Sequence, residues 1–366
     1  MSKIGVGLLG VAGKTPFAYI GQRGLGLYED HPWFEVRAVI ADDPADVGRT
    51  LGEVVADRWL LDEPLPAHWA DVRLAPIEEA PLRDAGVEFV LSGLPGPHAR
   101  ALDPQLAAMG FGVVSESAGL RLDDDVPLIV PEINPGHLAL AKSQVKTRGY
   151  GKGFLIASPL CTAVIVGLAL KPLQDAYGVD SVVATTLQAL SGAGKSGVAA
   201  LQVVDNLLPY IADEEEKLSA ELAKIFGTLE GDRVVPWSTP LASTCTRVPV
   251  RDGHTAVLSA ALGASASPAE IAEVLGGFKG LAAEHKLPSA PAGLIVVREE
   301  PDRPQPFLDR TAGDGRSVSV GRIRTHEALT SGVSLVAVGH NHDRGTVGNA
   351  LLLTELVAAA GLIDRA

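Results

Sequence analysis

The stretch Ile4-Gly-Val-Gly-Leu-Leu-Gly-Val-Ala-Gly13 decides the fold of the first part of the chain. Residues Ile4 to Leu9 are apolar and interrupted only by glycines, which is typical of a strand buried in a parallel sheet. Two glycines follow at the spacing Gly10-x-x-Gly13, where glycine permits a tight turn and close approach of the backbone to a ligand. A helical segment to about Tyr28 and a β-rich run over Phe34–Ile40 come next. This order predicts a βαβ unit with a dinucleotide-binding turn.

Three more short apolar runs, at 87–91, 112–115 and 154–157, alternate with helical segments further along the chain. Alternating strands and helices indicate a parallel sheet covered on both faces, and the right-handed crossover rule makes that sheet doubly wound. We therefore predict an α/β protein whose first domain, residues 1–157, has a Rossmann-type fold.

The pattern changes near residue 150. Strand-like segments become denser, at 181–189, 247–250, 254–262, 293–297, 318–323 and 334–338. They predict a second domain of the α+β type, residues 158–344, with a mostly antiparallel sheet. The last apolar run, at 349–362, has helical spacing, and we expect the C-terminal helix, residues 345–366, to complete the first domain.

The composition limits the class of protein. Hydrophobic residues make up 46% of the 366 residues and charged residues 20%, which predicts a compact globular protein. A net charge of −13 repels phosphate backbones, so nucleic acid and anionic membranes are not expected partners. Two cysteines cannot form a disulfide framework in so long a chain, which indicates the cytoplasm. We interpret the short apolar N-terminus as a strand and not a signal peptide, and no later run is long enough to span a bilayer.

The first candidate for chemistry is Cys161, within Ser158-Pro-Leu-Cys-Thr162. This segment predicts a turn that leads into a helix at 162–171, with Pro172 near the helix end. A helix N-terminus stabilises a thiolate, and its free N–H groups can hold an oxyanion. The position therefore suits a nucleophile. An inert buried thiol is the alternative, because free cysteine is among the most buried residue types.

Two other segments carry candidate polar groups. In Arg247-Val-Pro-Val-Arg-Asp-Gly-His254, a strand and turn could place Arg247 and His254 on one side of a pocket, with His254 as general base. A structural histidine is the alternative. The segment Gln188-Ala-Leu-Ser-Gly-Ala-Gly-Lys195 predicts a strand end and a glycine-rich turn, which could contact a ligand or simply reverse the chain.

These segments occur together and in this order in the aspartate-semialdehyde dehydrogenase family, and the chain resembles the archaeal and fungal branch over nearly its whole length. Other matching segments are Glu29-Asp-His-Pro-Trp-Phe-Glu-Val36, Asp125-Val-Pro-Leu-Ile-Val-Pro-Glu-Ile-Asn-Pro135, Asp205-Asn-Leu-Leu-Pro-Tyr-Ile211, Val320-Gly-Arg-Ile-Arg324 and Gly339-His-Asn-His-Asp-Arg-Gly345. The resemblance implies an oxidoreductase of amino-acid biosynthesis that reduces L-aspartyl 4-phosphate to aspartate 4-semialdehyde through a cysteine thioester, with NAD or NADP. It also implies a homodimer or homotetramer built on the sheet of the second domain.

The resemblance implies a role for each matching residue. Cys161 matches the nucleophile, His254 the acid/base and Gln188 the residue that orients the acyl group. The matching substrate ligands are Arg247 for the carboxylate, Glu214 and Lys217 for the amino group and phosphate, and Arg121 for the phosphate. The matching cofactor residues are Gly10 and Gly13 in the phosphate-binding turn, and Asn341 and Gly345 in the loop near the nicotinamide. No metal is implied.

Two departures from the family pattern concern the cofactor. Five extra residues separate Gly13 from Gly21-Gln-Arg, and Thr15 and Pro16 could cap and open the next helix in a rebuilt loop, or the insertion could weaken cofactor binding. After the second strand, Asp42-Asp43 replaces Ser-x-Arg-Ser. Carboxylates there bind a free ribose 2′-hydroxyl and repel a 2′-phosphate, so these residues favour NAD where the family favours NADP.

Two further departures surround the substrate, and they leave two alternatives open. Leu160 replaces an asparagine beside the nucleophile, and Glu116, Ala118 and Gly96 replace an asparagine and two serines. These changes favour a paralogue that reduces another acyl phosphate or an acyl-CoA such as malonyl-CoA, whereas Arg121, Lys217 and Glu214 favour the aminoacyl phosphate. The inserted phosphate loop favours a second alternative, a homologue without redox function that binds or regulates.

Overall fold

The chain forms a parallel sheet and a mixed sheet in the computed structural model, which describes residues 2–14, 18–194 and 197–363. The strands of the parallel sheet are β1 (Ile4–Leu9), β2 (Phe34–Ile40), β3 (Phe89–Ser92), β4 (Gly112–Ser115) and β5 (Phe154–Ala157). Their order is β2-β1-β3-β4-β5, and every neighbouring pair is parallel. This arrangement confirms the predicted doubly wound fold, with strand bounds within two residues of the predicted runs.

The described residues of this part of the chain form six α-helices: α1 (Ala18–Glu29), α2 (Leu51–Val55), α3 (Ala67–Ala70), α4 (Glu79–Asp84), α5 (Gly96–Ala108) and α6 (Ala139–Thr147). In α1, Gly21 lies directly against the turn after β1, because a Cβ on Gly21 would be 2.8 Å from the backbone of Gly10 and Val11. The longer connection therefore still brings a third glycine to the turn. The predicted capping by Thr15 and Pro16 lies outside the described residues.

The second half contains the mixed sheet, its helices and a small hairpin. In chain order the elements are α7 (Cys161–Tyr177), β6 (Val179–Gln188), α8 (Ala200–Val203), α9 (Glu214–Ile225), β7 (Thr228–Glu230), β8 (Arg233–Val235), β9 (Leu241–Arg247), β10 (His254–Leu262), α10 (Pro268–Gly277), β11 (Ile295–Arg298), α11 (Pro306–Asp309), β12 (Val318–Thr325), β13 (Gly332–Gly339) and α12 (Val347–Ala359). The mixed sheet has the order β11-β12-β13-β10-β6-β9, with three antiparallel pairs and two parallel pairs.

Two predicted elements differ from the observed ones. The predicted strand at 247–250 is wrong, because β9 runs over Leu241–Arg247 and ends where that strand was expected to begin. Pro249 has no N–H to donate to a sheet ladder, so the chain leaves the sheet there. The predicted helix at 162–171 extends as α7 to Tyr177, through Pro172. This helix is buried on nearly all sides, and its packing outweighs the loss of one backbone hydrogen bond.

The mixed sheet has one covered and one open face. Helices α7 and α10 pack on one side. On the other, alternate residues of β6 and β10 point outward, including Val183 (52% exposed) and Val257 (36% exposed). The last helix, α12, returns to the first sheet and packs against α1 and β4. Among the described residues, no helix is long and apolar enough to cross a membrane.

Candidate active site

Cys161 is the first residue of α7, immediately after the turn that follows β5. It is 8% exposed and lines a cavity of about 370 Å³ between the two sheets. Gly345 packs directly against Cys161, because a Cβ on Gly345 would lie 2.6 Å from the Cys161 Cβ. The structure therefore combines both predicted features of Cys161, burial and a helix N-terminus, at a cavity wall.

His254 is the nearest titratable partner of the thiol, with 3.1 Å between Cys161 Sγ and His254 Nε2. The other ring nitrogen, Nδ1, accepts a hydrogen bond of 3.0 Å from the backbone N–H of Ala189. Because Nδ1 uses its lone pair in that bond, the proton of the neutral ring must lie on Nε2, facing the sulfur. The backbone at the end of β6 thus selects the tautomer.

Burial keeps both members of this pair neutral. It raises the pKa of the Cys161 thiol to about 12, assisted by the negative charge of Glu214 and opposed by Arg247 and Arg121. It also lowers the pKa of His254 well below its usual value, assisted by the positive charge of Arg247. The free protein therefore holds a thiol beside a neutral imidazole, and not a thiolate–imidazolium pair.

We expect slow alkylation of Cys161 in the free protein at neutral pH, because the thiolate is the reactive form and a raised pKa depletes it. The rate should keep rising between pH 7 and pH 10. Iodoacetamide labelling followed by peptide mass spectrometry measures this rate for each cysteine, and the fully buried Cys245 serves as the internal control. A rate that reaches its plateau below pH 8 would contradict the neutral pair.

One face of α9 presents charged side chains to the site at helical spacing. Glu214 and Lys217, at the start of the helix, line the cavity. Glu214 Oε1 accepts a hydrogen bond of 2.9 Å from Gln188 Nε2, which ties α9 to the end of β6. Burial raises the pKa of Glu214. Lys217 remains partly exposed, with its ammonium 3.3 Å from the Asp213 carboxylate.

Glu221, on the same face of α9, is a site residue that the sequence reasoning missed. Its Oε1 is 3.0 Å from Arg121 Nη1, and its Oε2 accepts a hydrogen bond of 2.6 Å from the backbone N–H of Leu160. Glu221 therefore joins the predicted phosphate ligand to the residue before the nucleophile. Its spacing of seven residues from Glu214 was an available signal, since it returns to the same helix face.

Arg247 lies at the end of β9, buried, with Nη1 donating a hydrogen bond of 2.7 Å to the Ala189 carbonyl. The glycine-rich turn after β6 packs onto it. A Cβ on Gly192 would lie 3.0 Å from Arg247 Nη1 and 2.9 Å from His254 Cε1. Arg247 and His254 thus both contact the glycine-rich turn. This contact favours the interpretation of the turn as a ligand-binding loop over that of a simple chain reversal.

Asn341, in the loop after β13, lines the cavity opposite α9. Its side-chain oxygen accepts a hydrogen bond of 2.9 Å from the Gly253 N–H, and its amide nitrogen donates to Ser191 Oγ at 2.9 Å. The loop is thereby fixed to the segment before His254 and to the glycine-rich turn. His342, which follows Asn341 directly, also lines the cavity and was not predicted as a site residue.

The predicted cofactor turn forms a separate group at the carboxyl ends of β1 and β2. Gly10 has φ +93°, and a Cβ there would lie 2.9 Å from the Gly93 carbonyl group. A Cβ on Gly13 would lie 2.8 Å from Asp42 Oδ2, so the first carboxylate after β2 borders the turn. Burial raises the pKa of Asp42, whereas Lys14, 2.9 Å away, lowers that of Asp43. A backbone cradle beside a carboxylate at this sheet edge fits a dinucleotide.

The structure divides the predicted residues into two groups. The cavity is lined by Cys161, Arg121, Glu214, Lys217, Arg247 and Asn341. His254, Gln188 and Gly345 lie behind this wall in contact with its members, whereas Gly10, Gly13 and Asp42 lie at the edge of the parallel sheet and outside the cavity lining. The chemistry that the first group permits is nucleophilic attack on an anionic acyl compound, with cations near both of its ends.

Comparisons with known proteins agree with this geometry. Residues 5–141 match the family model "Semialdehyde dehydrogenase, NAD binding domain", and residues 170–342 match "Semialdehyde dehydrogenase, dimerisation domain". The aspartate-semialdehyde dehydrogenase of Archaeoglobus fulgidus is 37% identical over 358 residues, covering 98% of this chain and 99% of that protein. The malonyl CoA reductase (NADP) of Metallosphaera sedula is 33% identical over 362 residues, or 98% of each. The crystal structure of aspartate semialdehyde dehydrogenase with NADP from Candida albicans has a TM-score of 0.88 at 33% identity and covers 99% of this chain and 100% of that one.

Proposed function

The chain belongs to the semialdehyde dehydrogenase family, and we propose that it reduces L-aspartyl 4-phosphate to aspartate 4-semialdehyde, and the reverse, with a nicotinamide cofactor. The observation that carries the proposal is the Cys161–His254 pair, 3.1 Å apart at a cavity that Arg121, Arg247 and Lys217 also line. A nucleophile with cations on its flanks suits a substrate that has an anionic group at each end.

In the proposed reaction, Arg247 binds the substrate carboxylate and Glu214 the amino group, while Arg121 and Lys217 bind the phosphate. Cys161 attacks the acyl carbon as thiolate, and the carbon–oxygen bond to phosphate breaks to leave a thioester. Before this attack the thiol releases its proton to solvent, and the positive charges of Arg247 and Arg121, which oppose the raised pKa of Cys161, favour that ionisation. Gln188, held by Glu214, orients the acyl group.

A nicotinamide cofactor, when bound, would supply the hydride that reduces the thioester carbon. The resulting oxyanion lies near the start of α7, where backbone N–H groups stabilise negative charge. His254 Nε2 carries the proton that this oxygen accepts, because the Ala189 N–H holds the ring in that tautomer. His254 Nε2 takes this proton back as the hemithioacetal collapses, the carbon–sulfur bond breaks, and the aldehyde and the Cys161 thiolate are released. In either direction His254 is thus the acid when this oxygen gains negative charge and the base when the carbonyl forms again.

The proposed function is tested by the oxidation of aspartate 4-semialdehyde at 340 nm, with NAD and NADP in separate assays, with and without inorganic phosphate. Phosphate-dependent formation of the reduced cofactor is the expected result. A parallel assay with malonyl-CoA and reduced cofactor tests the alternative that Leu160 and the Metallosphaera relative favour. No turnover of the semialdehyde with either cofactor, beside turnover of malonyl-CoA, would replace the proposed substrate.

We propose NAD as the preferred cofactor, because Asp42 and Asp43 follow β2 at the position where a ribose 2′-substituent would lie. Asp42→Ala is expected to shift the ratio of kcat/KM for NAD to that for NADP by about tenfold toward NADP, which corresponds to 1.4 kcal/mol. Steady-state assays with both cofactors measure the ratio. Asp57→Ala, at an exposed carboxylate nearby in sequence, is the control, and an unchanged ratio in Asp42→Ala would remove this basis for NAD preference.

We propose that the open face of the mixed sheet binds a second copy of the chain. Val183 lies midway along β6, one strand in from the β9 edge of the sheet, and pairs with Ser259 of β10 and Ala242 of β9. Val183→Arg would bury an unpaired charge in such an interface, so the variant should be monomeric where the wild type is dimeric or larger. Light scattering after size exclusion measures the mass. Val145→Arg, equally exposed on α6, should leave the oligomer intact, and loss of the oligomer in both variants would contradict this interface.

A further inference from the structure

Glu116 is a buried acidic residue that the proposed reaction does not use. It follows β4 directly, and its backbone is fixed on both sides: its N–H donates to the Ser92 carbonyl at 2.9 Å, and its carbonyl accepts from Arg121 Nη2 at 2.7 Å. The side chain is 5% exposed and lines the same cavity as Cys161. Glu116 therefore faces the reacting groups from the edge of the parallel sheet.

Both carboxylate oxygens of Glu116 lack a well-formed hydrogen bond within the described part of the chain. Arg121 lies near, but its guanidinium already binds Glu221 and the Glu116 carbonyl. The Ser158 hydroxyl is the side-chain group close enough to act on it as a hydrogen-bond donor. A buried carboxylate so incompletely satisfied is unfavourable by itself, which points to a ligand that completes it. The groups that face it are Arg121, Ser158 at the end of β5 and Tyr28 of α1, with Cys161, His342 and Glu214 across the cavity.

Of the proposed ligands, the nicotinamide ring of the cofactor must bind close to Cys161. Hydride transfer requires the ring within about 3–3.5 Å of the carbon bound to the Cys161 sulfur. Ligands of doubly wound sheets bind beyond the carboxyl ends of the strands, which is where Glu116 lies. The oxidised ring carries one positive charge, whereas the reduced ring is neutral. A nearby carboxylate thus distinguishes the two forms by charge alone.

We propose that Glu116 makes this cavity bind the oxidised nicotinamide cofactor more tightly than the reduced one. The inference rests on the proposed function, since it requires that a nicotinamide cofactor binds. The expected preference that depends on Glu116 is about tenfold, for a charge pair separated by a few ångströms at a partly hydrated site. A tenfold preference would make the bound couple about 30 mV more reducing, which favours hydride transfer to the thioester.

The preference should depend on pH. Burial raises the pKa of Glu116 to about 7, against the opposing influence of Arg121 and Ser158. Below this pKa the protonated side chain is neutral and the preference should be lost, whereas above it the carboxylate is charged and the preference should be present. The ratio of dissociation constants, reduced over oxidised, should therefore increase between pH 6 and pH 8.

The experiment measures the dissociation constants of NAD⁺, NADH, NADP⁺ and NADPH by calorimetry on the full chain at pH 6, 7 and 8. The wild-type ratio should increase with pH, and Glu116→Gln should lower it by about tenfold at pH 8 and remove its pH dependence. Glu116→Asn is a second neutral variant, with thermal melting to check folding. Asp103→Asn is the matched control. Asp103 is a buried residue of α5, and its carboxylate accepts hydrogen bonds from the hydroxyls of Ser92 in β3 and Ser115 in β4.

The outcomes separate the inference from the proposed function. If no cofactor binds in any form, the proposed function fails. If all four bind but Glu116→Gln keeps the wild-type ratio and pH dependence, the function stands and the role of Glu116 is overturned. An equal change in Asp103→Asn would also overturn it, because the effect would then be shared by any buried carboxylate at this sheet edge.

Discussion

Cys161→Ala is expected to lower kcat/KM for the semialdehyde by at least about 10⁴-fold, since removal of a catalytic nucleophile has effects of this size. Without the sulfur no thioester can form, and none of the neighbouring residues that the structure describes replaces it: the closest reactive side chain among them, His254, presents an N–H toward the vacant position. Cofactor binding should persist, because the Cys161 side chain lies outside the turn after β1. Turnover at 340 nm and calorimetric cofactor titration measure the two properties separately.

Cys245→Ala is the matched control for this experiment. Cys245 is the other free cysteine of the chain, fully buried in β9, and its loss should leave turnover within about threefold of the wild type, as for a modest change of core packing. If Cys161→Ala retained more than a hundredth of wild-type turnover, the thioester route would be wrong. Catalysis would then have to proceed by direct hydride transfer to the substrate.

His254→Asn is expected to lower kcat by roughly 10²–10⁴-fold, the usual contribution of a general acid or base. Asparagine is the sharper substitution here, because its side-chain oxygen can replace Nδ1 as acceptor for the Ala189 N–H. The variant thus keeps the anchor and loses only the group that faces Cys161. KM and cofactor affinity should change little, since His254 lies behind the cavity wall.

The pH profile separates the role of His254 in acid–base catalysis from a purely structural one. Burial lowers the pKa of His254 well below its usual value, so the ring stays neutral above pH 6.5 and its titration should produce no loss of wild-type kcat there. His285→Asn, in a turn outside the cavity, is the control. The contradicting result would be a wild-type kcat that falls by half near pH 6.5–7, with no such fall in His254→Asn. It would show that His254 becomes protonated in this pH range, contrary to the lowered pKa.

Much of the fold follows from local sequence signals. The strand bounds of the parallel sheet were predictable because buried apolar runs and glycine turns act within a few residues. Cys161 could be placed at a helix start for the same reason, since Ser158-Pro-Leu-Cys precedes an apolar run. Local signals failed at β9, a strand rich in Ser and Thr that is held by pairing with β6 and not by its own pattern.

The resemblance identified the residues of the candidate site, and the structure shows which of them meet. Their roles remain predictions for the experiments above. The sequence contained a weak helical-spacing signal for Glu221 and none for the backbone N–H of Ala189, because a main-chain donor has no side-chain identity to recognise.

By itself the sequence determined a doubly wound first domain, a glycine turn, and a cysteine at the start of a buried helix, because each depends on neighbours along the chain. Only the tertiary structure decided the tautomer of His254, the bridge from Glu221 to Arg121 and Leu160, and the burial of the Glu116 carboxylate at the cavity. The physical reason is separation: the Cys161–His254 contact joins residues 93 positions apart, and the Arg121–Glu221 pair residues 100 apart. Such contacts form when the two sheets pack, and no local pattern specifies which polar groups the packing will pair.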